Sequence, residues 1–144
     1  DSEPYVIEYN VRMGDPETEV VLPRIASDLF DLFEGVAHQN LHEKEFSVTE
    51  KIATTVMLVS GGYPEAYEKG KLISGLKTIK NSIVFHAGTS IKNNTVVTNG
   101  GRVIAVTSLA ASIEEALKLS YKSIDEIHFN KMNYRKDIGF DLVE

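Results

Sequence analysis

The apolar and polar positions of the chain change period twice, which divides it into three stretches. In the first, Asp1 to about Ile25, the run Tyr5-Val6-Ile7-Glu8-Tyr9 has the β-branched and aromatic content of a strand. Alternation along it would put Glu8 and Asn10 on one face and Tyr5, Ile7 and Tyr9 on the other. Gly14, Asp15 and Pro16 then mark a turn. Pro16-Glu17-Thr18-Glu19 can open a helical turn, because proline fits a first helical position and acidic groups suit the positive end, and Pro23 interrupts any continuous helix. The second stretch predicts a helix from about Asp28 to Gln39, with Ser27 as N-cap and Asp28 and Asp31 in the first turn. Leu29, Phe30, Leu32, Phe33 and Val36 form a broad apolar stripe suited to packing on a sheet.

The third stretch predicts mainly strands. Lys51 to Ser60 holds Thr55-Val56-Met57-Leu58-Val59 and is closed by Gly61-Gly62-Tyr63-Pro64; Ile83-Val84-Phe85-His86-Ala87 is another strand. Thr95 to Thr98 and Arg102 to Thr107 are joined by Asn99-Gly100-Gly101, which predicts a hairpin, since Asn-Gly accepts the positive φ angles of a tight turn. A helix is predicted from Ile113 to about Ile124, where Ser112 and Glu115 have capping-box spacing.

Composition narrows the function classes. The chain has 144 residues, 42% hydrophobic and 25% charged, enough for one compact domain with a real core. Its net charge of -6 and pI of about 5.2 provide no basic field for a nucleic-acid backbone or an anionic membrane. With no cysteine, disulfides and thiolate chemistry are excluded, in agreement with a reducing compartment, and the cytoplasm is the expected location. No apolar run approaches the roughly 20 residues that span a bilayer. The opening Asp1-Ser2-Glu3-Pro4 lacks a starting Met and a signal-like pattern, and reads as cut from something longer.

The chemically richest stretch is Glu8 to Glu17. A carboxylate and an amide oxygen on one strand face, Glu8 and Asn10, can both reach a hard divalent cation such as Mg, which takes oxygen ligands together with water and substrate phosphates. Arg12 lies on the same face if the strand continues, where it could meet a phosphoryl or acyl-phosphate oxygen. A solvated strand end, with Arg12 paired to Asp15 or Glu17, explains the same spacing. His86 follows strand residues and reads as a structural histidine. Gly61-Gly62 and Gly100-Gly101 open no helix with phosphate-loop spacing and read as turns.

The run Asn10-Val11-Arg12-Met13-Gly14-Asp15-Pro16-Glu17-Thr18-Glu19 resembles the closing segment of the ATP-grasp domain in the phosphoribosylamine-glycine ligase family, also called glycinamide ribonucleotide synthetase. Later signatures of that family follow in order: Ser60-Gly61-Gly62-Tyr63-Pro64, Phe85-His86-Ala87-Gly88-Thr89, Thr98-Asn99-Gly100-Gly101-Arg102-Val103 and Tyr134-Arg135-Lys136-Asp137-Ile138-Gly139. The resemblance covers nearly the whole chain. It departs from the family at Glu65 and Asn130, where glycine is common, which touches loop shape; Asn tolerates left-handed geometry better than Glu.

The resemblance implies a ligase that joins glycine to 5-phosphoribosylamine, with ATP activating the glycine carboxylate as an acyl phosphate. Glu8 and Asn10 would hold Mg or Mn ions at the nucleotide phosphates, and Arg12 would act on the transferred group. Asp15 and Glu17 would shape the adjacent nucleotide-binding loop. Arg135 and Lys136, a tight basic pair, would meet the ribose 5-phosphate, with a surface salt bridge as the plainer reading. The implied fold is α+β: residues 1-26 close an ATP-grasp domain, and 27-144 form a small curved antiparallel sheet with packed helices, the C-terminal hybrid-motif domain of such ligases. The ligands that bind most of the ATP would lie in upstream domains, so the fragment alone is expected to be inactive. The alternative is a non-catalytic scaffold or interaction module that keeps the family fold.

Overall fold

A computed structural model describes residues 4–9, 11–14 and 16–142. In chain order its elements are α1 (Thr18–Val21), α2 (Leu29–Ala37), β1 (Ile52–Ser60), β2 (Ile83–His86), β3 (Thr89–Lys92), β4 (Thr95–Thr98), β5 (Arg102–Ala110), α3 (Ile113–Ile124) and β6 (Met132–Asn133), with 3-10 turns at Leu22–Arg24, Leu41–Glu43 and Leu76–Thr78. The fold is α+β, as expected. The main sheet is antiparallel in the order β2-β5-β1-β6, and β3 and β4 form a separate two-stranded ribbon.

Period-two alternation in β1 sorts its side chains. Thr54, Val56, Leu58 and Ser60 are buried, and Thr55, Met57 and Val59 are half-buried on the opposite face. On the inner face, Val56, Leu58, Ile104 and Val106 join Ile124, Ile127 and Phe129 in one core cluster. Helix α3 lies over this face. Its N-cap Ser112 accepts from Glu115 N at 3.2 Å, so both bounds and the cap of this helix match the sequence expectation.

Small residues let α3 approach closely, and hydroxyls fill the seam. Ser120 Oγ donates to Ser108 Oγ at 2.9 Å; Ser82 Oγ lies 2.7 Å from the hydroxyls of both Ser108 and Ser123; Thr54 Oγ1 is 3.3 Å from Ser120 Oγ. Linked in this way, buried hydroxyls avoid the desolvation penalty that each would suffer alone. On the outer face, α1 is tied down where Thr107 Oγ1 donates to the Glu19 carbonyl at 2.8 Å.

Four local expectations are corrected. Residues 4–9 form no strand, and Tyr5, Ile7 and Tyr9 are exposed. β-propensity acts through cross-strand packing, and no strand among the described residues runs beside them. The N-cap of α2 is Asp28, which accepts from Phe30 N at 2.8 Å, whereas Ser27 Oγ accepts from Ser47 N at 2.7 Å. The apolar stripe of α2 does not pack on a sheet: Leu32 is buried, but Phe30, Phe33 and Val36 are 69%, 62% and 60% exposed. α2 packs instead on the turn at Leu41–Glu43, pinned by Lys44 Nζ to Asp31 Oδ1 at 2.5 Å.

The fourth correction is topological. Thr95 to Thr107 is not a hairpin about Asn99-Gly100. β4 pairs with β3, in register Thr89↔Thr98 to Lys92↔Thr95, and the tight turn is Asn93-Asn94, with φ of 49° and 57°. Asparagine is one of the few residues that holds such a conformation, as a hairpin turn of this kind requires. β5 crosses to the other sheet and lies between β2 and β1, while Asn99 N donates to the Gly88 carbonyl at 2.7 Å.

Candidate functional site

The outer face of the main sheet carries a cleft. Solvent-facing sides of antiparallel sheets are usually polar, yet here β1 presents Met57 and Val59. Val59 pairs with Arg102 on one side and Asn133 on the other, so the three form a row across β5, β1 and β6 on one face. A register shift between Leu58 and Val59 brings Arg102 into that row. The cleft, ≈ 470 Å³, is lined by Met57, Val59, Tyr63, Arg102, Tyr134 and Arg135 among others, with Pro16 contributed by the segment before α1. A hollow of ≈ 370 Å³ lined by Glu19, Tyr67 and Gly88 adjoins it and shares Met57, Tyr63 and Arg102.

Close backbone approaches shape the cleft end. At Gly101 a Cβ would stand 2.0 Å from Cδ2 of Tyr63, so only glycine lets that ring lie against the start of β5. The role of this glycine is therefore to admit the ring, and its φ is not in the left-handed region. The loop carrying Tyr63 and Tyr67 is held onto the turn before β6 by Glu68, which meets Lys71 Nζ at 2.5 Å and Lys131 Nζ at 3.4 Å. The Lys71 hydrogen bond, then that of Lys131, holds the Glu68 carboxyl below its ordinary range. In that turn the left-handed residue is Lys131, with φ of 61°, next to Asn130.

At the other end, Arg135 donates from Nε to Asp137 Oδ1 at 2.9 Å and from Nη2 to Asp137 Oδ2 at 3.0 Å. The two-point bond raises the guanidinium pKa and lowers that of the carboxyl. It occupies two of the five guanidinium donors and fixes the plane of the group. Tyr121 of α3 donates its hydroxyl to the Arg135 carbonyl at 3.1 Å. The surface ion pair expected as the plainer reading is thus present, and it places a permanent cation at the rim of a cleft with an apolar floor.

The other sequence-derived candidates are placed as follows. Glu8 and Arg12 are exposed on an irregular segment, and Arg12 Nη1 donates to the Met13 carbonyl at 3.0 Å. Glu17 closes its own turn, its Oε2 accepting from Gly14 N at 2.6 Å. Asn10 and Asp15 lie outside the described residues. Lys136 is exposed beside Arg135, and His86 Nδ1 sits 3.0 Å from Thr89 Oγ1, a structural contact. Among the described residues no three His, Asp or Glu gather as a metal-binding group, and no helix is long and apolar enough to cross a membrane. Sequence reasoning missed Tyr63, Arg102 and Met57 as cleft residues. The available signal was Met57 and Val59 alternating on one side of β1.

Fold and cleft together define a small α+β domain with an inner face closed by one helix and an outer face open and flanked by arginines. Residues 53–141 match the family model described as phosphoribosylglycinamide synthetase, C domain, and the chain belongs to that family. It is similar to the bifunctional purine biosynthetic protein ADE1 of Schizosaccharomyces pombe, with 48% identity over 140 residues, 96% of this chain and 18% of that protein. It is similar also to phosphoribosylamine-glycine ligase of Chlorobaculum tepidum, 46% identical over 139 residues, 94% of this chain and 33% of that protein. The crystal structure of phosphoribosylamine-glycine ligase from Thermotoga maritima superposes with a TM-score of 0.73 at 35% identity, covering 95% of this chain and 34% of that one. The chain therefore spans about a third of the length of these two phosphoribosylamine-glycine ligases.

Proposed function

We propose that this chain acts as the C-terminal part of a phosphoribosylamine-glycine ligase, the ATP-dependent enzyme that joins glycine to 5-phosphoribosylamine, and that it works with upstream domains of the same polypeptide in the cytoplasm. The observation that carries the reading is Arg135, held at the cleft rim by Asp137 within the span that matches the family. Arg135 and Lys136 bind the 5-phosphate of the ribosylamine. Residues 1-26 close the ATP-grasp domain and 27-144 form the C-terminal domain. Asp15 and Glu17 shape the nucleotide loop; the bond from Gly14 N to Glu17 supports that role for Glu17.

The metal reading rests on donor chemistry. Glu8, exposed, and Asn10 carry hard oxygen donors of the kind that Mg or Mn takes, and water and nucleotide phosphates would complete the ligand set. An ion held there would supply positive charge to offset that of the nucleotide phosphates. Arg12 adds a permanent cation for the transferred phosphoryl group or the acyl phosphate.

The test is to express the full reading frame to which this chain belongs and measure ADP release with ATP, glycine and phosphoribosylamine. Release that requires all three substrates and is absent from the 144-residue chain alone is expected. A full-length protein with no such activity would favour the non-catalytic scaffold.

A further inference from the structure

The cleft on the outer sheet face has two cationic ends, and the reading above uses only one. Arg102 and Asn133 flank Val59 in adjacent registers, so their backbones stand two strand spacings apart, about 10 Å. Arg135 lies two residues beyond Asn133, and both arginines line the same cleft. Between them the floor is Met57 and Val59, and Tyr63 is seated beside Arg102 by the absence of a side chain at Gly101. An apolar floor with a few placed polar groups is how small-molecule sites are built. A flat apolar patch also suits the C–H face of a sugar ring. A guanidinium and a phenol hydroxyl supply the donors, and the phenol an acceptor, that ring hydroxyls need.

We propose that the cleft seats a pentose 5-phosphate lengthwise, with the phosphate at Arg135 and the ring hydroxyls read by Arg102 and the Tyr63 hydroxyl. The assignment rests on the preceding reading of Arg135 as the phosphate partner and adds the sugar end to it. It makes Arg102 and Tyr63 specificity-determining residues. A site built to hydrogen-bond a hydroxyl discriminates strongly against a ligand that lacks it.

The lining residues all belong to this chain, so the chain itself can be titrated, with amide shifts recorded by NMR for ribose 5-phosphate, 2-deoxyribose 5-phosphate and inorganic phosphate. Wild type should bind ribose 5-phosphate tighter than inorganic phosphate by about tenfold, the gain expected from one or two charge-assisted hydrogen bonds. Arg102→Ala should bring ribose 5-phosphate down to the level of inorganic phosphate and remove the preference over the deoxy sugar, leaving inorganic phosphate unchanged. Tyr63→Phe, which keeps the ring, should lose several-fold on ribose 5-phosphate alone, and Arg102→Lys should recover part of the loss. Arg135→Ala should weaken all three ligands.

If Arg102→Ala binds ribose 5-phosphate like wild type while Arg135→Ala does not, the sugar-end assignment is wrong and the phosphate reading stands. If Arg102→Ala also loses inorganic phosphate with its fold intact, Arg102 is a phosphate partner and the lengthwise orientation is overturned. No shift at Gly101 or Arg135 with any ligand would remove both readings of the cleft, while the substrate-dependent ADP assay decides separately whether the parent is the ligase. Should Arg102→Ala fail to fold, Tyr63→Phe and Arg102→Lys decide the question, and unchanged affinities in both would refute it.

Discussion

The hydroxyl of Tyr121, on the last turn of α3, donates to the backbone carbonyl of Arg135 at 3.1 Å. A helix packed on the inner face of the sheet thereby fixes the segment that carries the proposed phosphate partner. Tyr121→Phe keeps the ring and its contact with Tyr134 while deleting this one bond. The expected cost in stability is small, about 0.5 to 1 kcal/mol, because the bond is exposed. The larger effect should be a several-fold loss of affinity for sugar phosphate. Urea unfolding and an NMR titration on one sample separate the two quantities, and an unchanged affinity would disconnect α3 from the site.

Gly75 holds φ at 84°, and a Cβ there would come within 1.7 Å of the Glu126 carbonyl oxygen. Gly75→Ala therefore combines backbone strain with a collision against main chain that cannot rotate away. A loss of about 2 to 4 kcal/mol is expected. Chemical denaturation would show it as a lower midpoint at unchanged slope. Gly70→Ala is the control, since Gly70 also has positive φ, 77°, but open space around it, and the strain term alone should appear.

Glu68 gives a pH-dependent prediction. Its carboxyl is held below the ordinary glutamate value of 4.5, chiefly by the hydrogen bond from Lys71 and then by that from Lys131. A folded pKa lowered relative to the unfolded chain contributes stability that is complete above pH 4.5 and lost as pH falls through the depressed value. Carboxyl NMR titration should find Glu68 below its ordinary value. Lys71→Met should move it back toward normal more than Lys131→Met does. The opposite ranking would mean that the loop is tied mainly to the turn before β6.

The proposed metal and phosphoryl roles are tested in the full reading frame, where the proposed ligase activity can be assayed. Glu8→Gln, Asn10→Ala and Arg12→Ala should each lower kcat by a factor on the order of a hundred or more without unfolding the protein, and excess Mn should partly rescue the first two. Arg135→Ala should chiefly raise KM for phosphoribosylamine and spare KM for ATP and glycine. In the isolated chain, calorimetry with Mg-ATP should find at best millimolar affinity. A micromolar site would contradict a division of the nucleotide ligands between this chain and upstream domains.

What could be read from the sequence tracks how local the cause is. The helix Ile113–Ile124 was legible to the residue because Ser112 caps it and its apolar spacing is its own. β1 was legible as a strand within one residue, Lys51 against Ile52. The hairpin was not, because Asn99-Gly100 is a strong local turn signal that the backbone uses for a close crossing with Gly88, leaving the turn itself to Asn93-Asn94. Tyr5 to Tyr9 has strand composition, but composition specifies no neighbour. Of the basic pair that the family motifs singled out, Arg135 lines the cleft, whereas seeing Arg102 and Tyr63 beside it required knowing that β5 lies next to β1 and that a bulge at Leu58/Val59 turns Arg102 outward. Pairing between strands whose partners lie 43 (Val59↔Arg102) to 58 (Ile52↔Ala110) residues apart leaves no periodic trace that one sequence can show.

Helix α2 buries only Leu32 and Gly35 and is held by Lys44–Asp31 and the Ser27–Ser47 pair, whereas β5 is paired on both sides and buried over most of its length. These two elements cannot share one opening free energy. Amide protons of α2 should exchange through local opening at a small fraction of the global unfolding cost, and those in the middle of β5 only when the whole sheet comes apart. A protease would meet the same hierarchy. Its first cuts should fall on either side of α2, releasing a resistant fragment that still holds the sheet, α3 and the arginine-flanked cleft.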